Sequence, residues 1–279
     1  MAEQSGEGLV RVLGPTMVDD AAPTTRQRRL LAALAMRAGG VVHPDSIIDA
    51  MWSGAPPTTA RASLQNQVAR LRARFGDSII GTDDVGYRLG WRTDAADFEA
   101  TLAPLAHASP RVDLIPELLA GLSRWRGTPF AELDDVDGVA ALRARLTELH
   151  VAAEEQVAAC RLAGGILEPT ILDLVALTEG EPFRERRWAL LMAAQHRAGR
   201  PSDALASYRR YADIVRAELG AEPSPPLQRL RERVEQHAAT DHELIDITGD
   251  DPPARTHPRP TSSCGRRPHR QRRTCSPTT

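Results

Sequence analysis

Residues 59–75 of this 279-residue chain read Thr-Ala-Arg-Ala-Ser-Leu-Gln-Asn-Gln-Val-Ala-Arg-Leu-Arg-Ala-Arg-Phe, with four arginines and no acid. Arginine forks onto guanine or grips phosphate, and Asn and Gln reach adenine edges, so these side chains have the chemistry to read duplex DNA. Leu64, Val68, Leu71 and Phe75 recur at steps of four, three and four, which makes one apolar stripe of a helix. At about 100° per residue, the opposite face carries Ser63, Asn66, Gln67 and Arg70, with Arg74 at its edge and Ala62, Ala69 and Ala73 interleaved. Small residues there would let the helix approach a major groove closely. The same pattern also fits an amphipathic helix with a solvated basic face, so the neighbouring elements must decide.

Those neighbours supply a scaffold. Ser78–Gly81 and Val85–Leu89 are short apolar runs around the polar turn Thr82-Asp-Asp84, which predicts a β-hairpin. Upstream, Arg26 to Arg37 places Leu30, Leu31 and Leu34 on one side and is stopped by Gly39-Gly40. His43 to Trp52 predicts a two-turn helix with Pro44 at its first position and an acidic first turn. Pro56-Pro57 separates it from the arginine-rich segment. Strand, three helices and a hairpin in this order make a winged helix-turn-helix.

Several runs carry a resemblance: Arg11-Val-Leu-Gly-Pro15, Thr25-Arg-Gln-Arg-Arg-Leu-Leu31, Ala50-Met-Trp52, Pro57-Thr-Thr-Ala-Arg61, Gln67-Val-Ala-Arg-Leu-Arg72 and Gly86-Tyr-Arg-Leu89. Together they resemble the OmpR-type winged helix and, more closely, the Streptomyces antibiotic regulatory protein family of transcriptional activators. In that family the winged helix is followed by an all-helical bacterial transcriptional activation domain. The resemblance spans roughly residues 9–237. It implies a mainly α protein, with an α+β winged helix over 1–93, a tetratricopeptide-like all-α domain over 94–238 and a tail over 239–279.

The resemblance also implies roles. Arg70 reads a base, helped by Gln67, Asn66 and Ser63, while Arg61, Arg72 and Arg74 clamp phosphates. Thr25, Arg26 and Arg28, at a helix start, are further phosphate candidates, and Arg88 of the hairpin completes the set. The implied partners are double-stranded promoter DNA bearing direct repeats, occupied by two protomers, and RNA polymerase with its principal sigma factor. Regulated genes in this family typically form an antibiotic or other secondary-metabolite cluster. No cofactor, metal or membrane enters this reading, and the expected location is the cytoplasm at the nucleoid.

Charge is divided along the chain. Residues 1–93 hold 11 Arg against 9 Asp/Glu, residues 94–251 hold 17 against 28, and residues 252–279 hold 7 Arg and no acid. DNA binding must therefore be local to the 59–75 helix, while the acidic middle suits protein partners. All 35 basic residues are Arg, a bias that favours bidentate contacts to phosphate and guanine.

The middle reads as helices: Asp97 to about His107, Leu114 to Trp125, Val139 to Leu162 before Gly164-Gly165, and Glu168 to Glu179. Phe183 to Ala198, a Gly199-Arg-Pro201 turn and Ser202 to Leu219 have the length of one tetratricopeptide hairpin. Gly199, Ala204 and Tyr208 sit at its turn and packing positions. A capping helix follows from Pro225 to about His237. Trp125-Arg-Gly127, Pro182–Arg186, Ala204–Arg210 and Glu218–Pro223 match the activation domain of the same family. Residues 252–279 are rich in Pro, Arg, Ser and Thr and too poor in apolar side chains to fold alone.

Enzyme chemistry lacks a constellation. The eight His are scattered, the three Cys have no metal-ligand spacing, and there is no Lys for a phosphate-binding loop. Asp134, Asp135 and Asp137 lack the Gly and terminal Glu of a calcium loop and read as a solvated inter-helix loop. Two features depart from the family. Only Thr16 to Thr24 separates the first strand from the first helix, which predicts a missing strand and a looser domain interface. The wing turn carries Asp83 and Asp84, where related wings place a basic residue. These departures keep a rival open: a helical-repeat scaffold or antagonist whose winged helix is vestigial.

Overall fold

In a computed structural model describing residues 8–236, the alternating Leu9-Val-Arg segment forms β1 (Leu9–Arg11), which pairs antiparallel with β2 (Met17–Val18) and parallel with β6 (Arg92–Thr93). The short interval after the Leu-Gly-Pro segment thus holds a strand of its own. The sheet is completed by residues from the point where the helical region begins.

Between these strands lies the winged helix-turn-helix. Helix α1 (Thr25–Ala35) starts one residue before its expected position, because Thr24 forms a capping box: its hydroxyl accepts from Gln27 N–H and the Gln27 side chain accepts from Thr24 N–H. Strand β3 (Val41–Val42) leads to α2 (Pro44–Trp52), whose N-cap is His43. Helix α3 (Ala60–Phe75) is the arginine-rich segment, ended by Gly76. Strands β4 (Ile80–Asp83) and β5 (Gly86–Leu89) form the hairpin, and β5 also pairs with β3, giving the order β3-β5-β4. The turn is Asp84-Val85, so the expected Thr82–Asp84 turn shifts and Thr82 and Asp83 belong to the strand. Gly86 is required at the crossing: a Cβ there would stand 2.1 Å from the Val42 carbonyl oxygen.

The helical region runs α4 (Asp94–Leu102), α5 (Ile115–Leu122), α6 (Val139–Ala163), α7 (Glu168–Gly180), α8 (Glu185–Arg197), α9 (Pro201–Leu219) and α10 (Pro225–Gln236). Helix α4 opens at Asp94 rather than Asp97, because Thr93 caps it by accepting from Ala96 N–H at 3.1 Å. Helices α8 and α9 make the expected antiparallel hairpin, with Gly199 at φ +73 in the turn and Ala204 and Tyr208 buried. Pro201 is the first residue of α9 rather than part of the turn, a position where its missing N–H costs nothing.

One hydrophobic core runs from Val10 through α1–α3 and the hairpin to Phe98, Phe130 and α6 as far as Cys160. A second, centred on Trp188, covers the end of α6 through α10. The first core therefore continues without a break across residues 93–94. Polar bonds seal that crossing. Val12 and Leu13 N–H groups donate to Asp94 at 2.6 and 3.3 Å, and Thr16 donates through its N–H and hydroxyl to Glu132 at 2.9 and 2.7 Å. Arg126 N–H donates to Leu13 O and Phe130 N–H to Val12 O, both at 2.7 Å. The looser interface expected from the short N-terminal sheet is not what forms. The 239–279 tail lies outside the described residues.

Candidate nucleic-acid interface

The site is one face of α3. Leu64, Val68 and Leu71 are buried and dock the helix onto α1, α2 and the hairpin, as the stripe requires. Arg61, Ala62, Gln65, Asn66, Ala69, Arg70, Ala73 and Arg74 face outward, and Ser63 is half-buried. Three alanines and Asn66 form a low ridge along the middle of this face, with longer side chains on both flanks. Such a surface can lie close to a groove floor while its flanks reach sideways.

The charged groups differ in freedom. Arg70 makes no hydrogen bond or ion pair among the described residues, so its guanidinium is uncompensated. Arg74 lies over the Phe75 ring at 4.8 Å and stays exposed. Arg61 is paired with Asp45 of α2 at 2.8 Å, an exposed contact that exchange with phosphate could replace. Arg26 stands 5.8 Å from the Trp52 ring centroid. Arg88 lies outward on β5 across Gly81 of β4.

Other expected site residues are placed differently. Gln67 is buried at 8 % exposure and does not belong to the open face. Its helical angle explains this: it lies only about 60° from the centre of the Leu64–Leu71 stripe. Arg72 is folded onto the wing, donating to Ile80 O at 2.9 and 2.6 Å and to the Thr82 hydroxyl at 2.7 Å. It tethers the hairpin to α3 and is not presented as a phosphate clamp. Arg28 is drawn 3.7 Å from Glu132, which neutralises it. Thr25 is exposed at the first position of α1, and the capping hydroxyl is that of Thr24.

Two groups of residues were not legible as part of the site. Gln65 is exposed on the open face, and its position about 100° from the stripe centre was the available signal. The second group fixes the site in place. Arg29 donates to Ala50 O of α2 at 2.6 Å, to Ser53, to Glu132 O at 2.7 Å and to Asp135 at 2.7 Å. It therefore pins the end of α2, just before α3, to the loop ahead of α6. No local spacing announces a contact that spans 103 residues.

The electrostatics of this bracket are specific. The Ser53 hydroxyl and the Arg29 guanidinium hold the Asp135 carboxyl below its ordinary value. At Asp94, burial pushes the carboxyl up, opposed by the Val12 and Leu13 N–H groups and by Arg126. The wing tip differs from the α3 face: Asp83, Asp84 and Val85 are exposed, with Val85 at 63 %. Among the described residues, no group of three or more His, Cys, Asp or Glu is placed to hold a metal ion, and no helix is long and apolar enough to cross a membrane. Asp134 and Asp135 are instead ion-paired with Arg143 and Arg29.

Comparison with known proteins bears on the same regions. Residues 19–89 match the family described as transcriptional regulatory protein, C terminal, and residues 93–235 match the bacterial transcriptional activator domain. The chain is 33% identical over 240 residues to the transcriptional regulatory protein EmbR of Mycobacterium tuberculosis, covering 80% of this chain and 62% of EmbR. It is 31% identical to the regulatory protein AfsR of Streptomyces coelicolor, covering 92% of this chain and 27% of AfsR. To the regulatory protein DnrI of Streptomyces peucetius it is 29% identical, covering 81% and 91%. The solved structure of M. tuberculosis EmbR in complex with a low-affinity phosphopeptide superposes with a TM-score of 0.76 at 30% identity, covering 87% of this chain and 69% of that one. These domains and relatives are transcriptional regulators, not enzymes.

Proposed function

The chain belongs to the Streptomyces antibiotic regulatory protein family of transcriptional regulators, and from that premise we propose that it activates transcription by reading promoter direct repeats with α3. Two protomers occupy the repeats on one face of the DNA. The helical region, residues 94–238, recruits RNA polymerase and its principal sigma factor. The regulated genes form an antibiotic or other secondary-metabolite cluster. Base reading is assigned to Arg70 and Asn66 with Ser63, and phosphate contact to Arg61 and Arg74, with Arg26 and Arg88 outside the helix.

The observation that carries this reading is the uncompensated Arg70 guanidinium on an open face of alanines and amides. A solvated basic face would more commonly pair its arginines locally, as most of the other described arginines do. One observation favours a second reading, a helical scaffold with a vestigial winged helix: the exposed carboxylates of Asp83 and Asp84 at the wing would oppose phosphate. Transcription in vitro with RNA polymerase holoenzyme separates the two. Arg70→Glu abolishes activation with an unchanged melting temperature if α3 reads DNA; full activity in that variant replaces the activator with the scaffold.

A further inference from the structure

The open face of α3 is asymmetric. Taking the centre of the Leu64–Leu71 stripe as zero and about 100° per residue, Ala62, Asn66, Ala69 and Ala73 cluster around the far side. Gln65 and Arg70 stand on opposite flanks of that ridge, each about 70° from its middle. Both are exposed, and neither side chain has a hydrogen-bond partner among the described residues. Alanine methyls in the middle let the helix backbone come close to the groove floor. Long side chains on the two flanks then reach down past the ridge toward opposite strands. The five-residue separation is about 7.5 Å along the helix axis, close to two base steps of about 3.4 Å each.

Resting on the DNA-reading assignment above, we infer that Gln65 is a further specificity-determining residue beside those already assigned, and that it and Arg70 read two separate positions of the site. Gln65 takes an adenine through its N6 and N7 edge, and Arg70 takes a guanine through O6 and N7. The two purines lie on opposite strands, separated by one intervening base pair. Short side chains flank Gln65 along the ridge, so its amide is free to lie in the plane of the base edge. Gln67, one of the two amides expected to help Arg70, is buried and cannot take this role.

Selection of bound duplexes from a randomised library, with the full chain and its variants, tests this directly. The wild type enriches a motif with an A·T and a G·C pair two steps apart. Gln65→Ala flattens the A·T position alone, with discrimination falling between about fivefold and about 150-fold, and Arg70→Ala flattens the G·C position alone. Gln65→Glu moves the preference at the first position to cytosine, whose N4 amino group donates to a carboxylate; a new preference cannot come from misfolding. If the wild type enriches a motif and Gln65→Ala leaves every position intact, the role of Gln65 is wrong while DNA reading stands. If the wild type enriches nothing, DNA reading itself has failed and the role of Gln65 falls with it.

Discussion

Arg70 and Arg72 lie two residues apart on one helix and serve different ends. Arg70 is exposed without a partner among the described residues, whereas Arg72 spans eight residues to hold Ile80 O and the Thr82 hydroxyl. Arg72→Ala therefore lowers the stability of the free protein by about 1–3 kcal/mol, because the Ile80 carbonyl loses its guanidinium donor and the wing its tether. Thermal melting without DNA checks this. A phosphate clamp would leave that melting temperature where it was. Titration at Asp135 follows from its pKa. A carboxyl held below its ordinary 3.8 in the folded protein adds stability above that value and loses it as pH falls further. On acidification from about pH 5 to about pH 3, wild type should lose slightly more melting temperature than Asp135→Asn; the effect is small because Asp135 is 37% exposed. Parallel curves for the two proteins would contradict the bracket's electrostatics.

Whole elements were more legible than their edges. The stripe Leu64, Val68 and Leu71 announces α3, and all three are buried as periodicity requires. Gly199 and Tyr208 likewise announce the α8–α9 hairpin. Edges shifted where a cap decides them: Thr24 and Thr93 start α1 and α4 earlier than the apolar pattern does, because a hydroxyl satisfies N–H groups that hydrophobicity does not register. Within α3 the apolar pattern located the candidate face but misassigned Gln67, since a polar side chain on the flank of the buried stripe reads as solvent-facing by type and as buried by angle. The contacts of Arg29, Arg72 and Asp94 were invisible for another reason. Each takes backbone carbonyls or N–H groups brought near only by tertiary folding among its partners, and backbone groups carry no sequence signature.

At the scale of the molecule, the winged helix and the helical region share one core and a set of buried polar bonds, so the face of α3 is held at a fixed attitude to the helices behind it. That continuity predicts a single cooperative unfolding transition for residues up to about Cys160 of α6. Asp94→Ala leaves the Val12 and Leu13 N–H groups without their acceptor and Arg126 without its carboxylate, costing on the order of 3 kcal/mol. Calorimetry should then show the winged helix melting ahead of the rest; an unchanged single transition would mean that the apolar core alone joins the two regions. Fixed attitude also suits the proposed presentation of the helical region to polymerase from one side of the DNA. The central claim is that this presentation begins with α3 reading sequence, and footprinting of the purified chain on the promoters flanking its own gene, across a salt series, tests it most directly. A protected pair of direct repeats is expected, weakening as salt rises and needing several-fold more protein in Arg70→Ala. Protection nowhere, or uniform low-salt coverage that Arg70→Ala leaves intact, would contradict it.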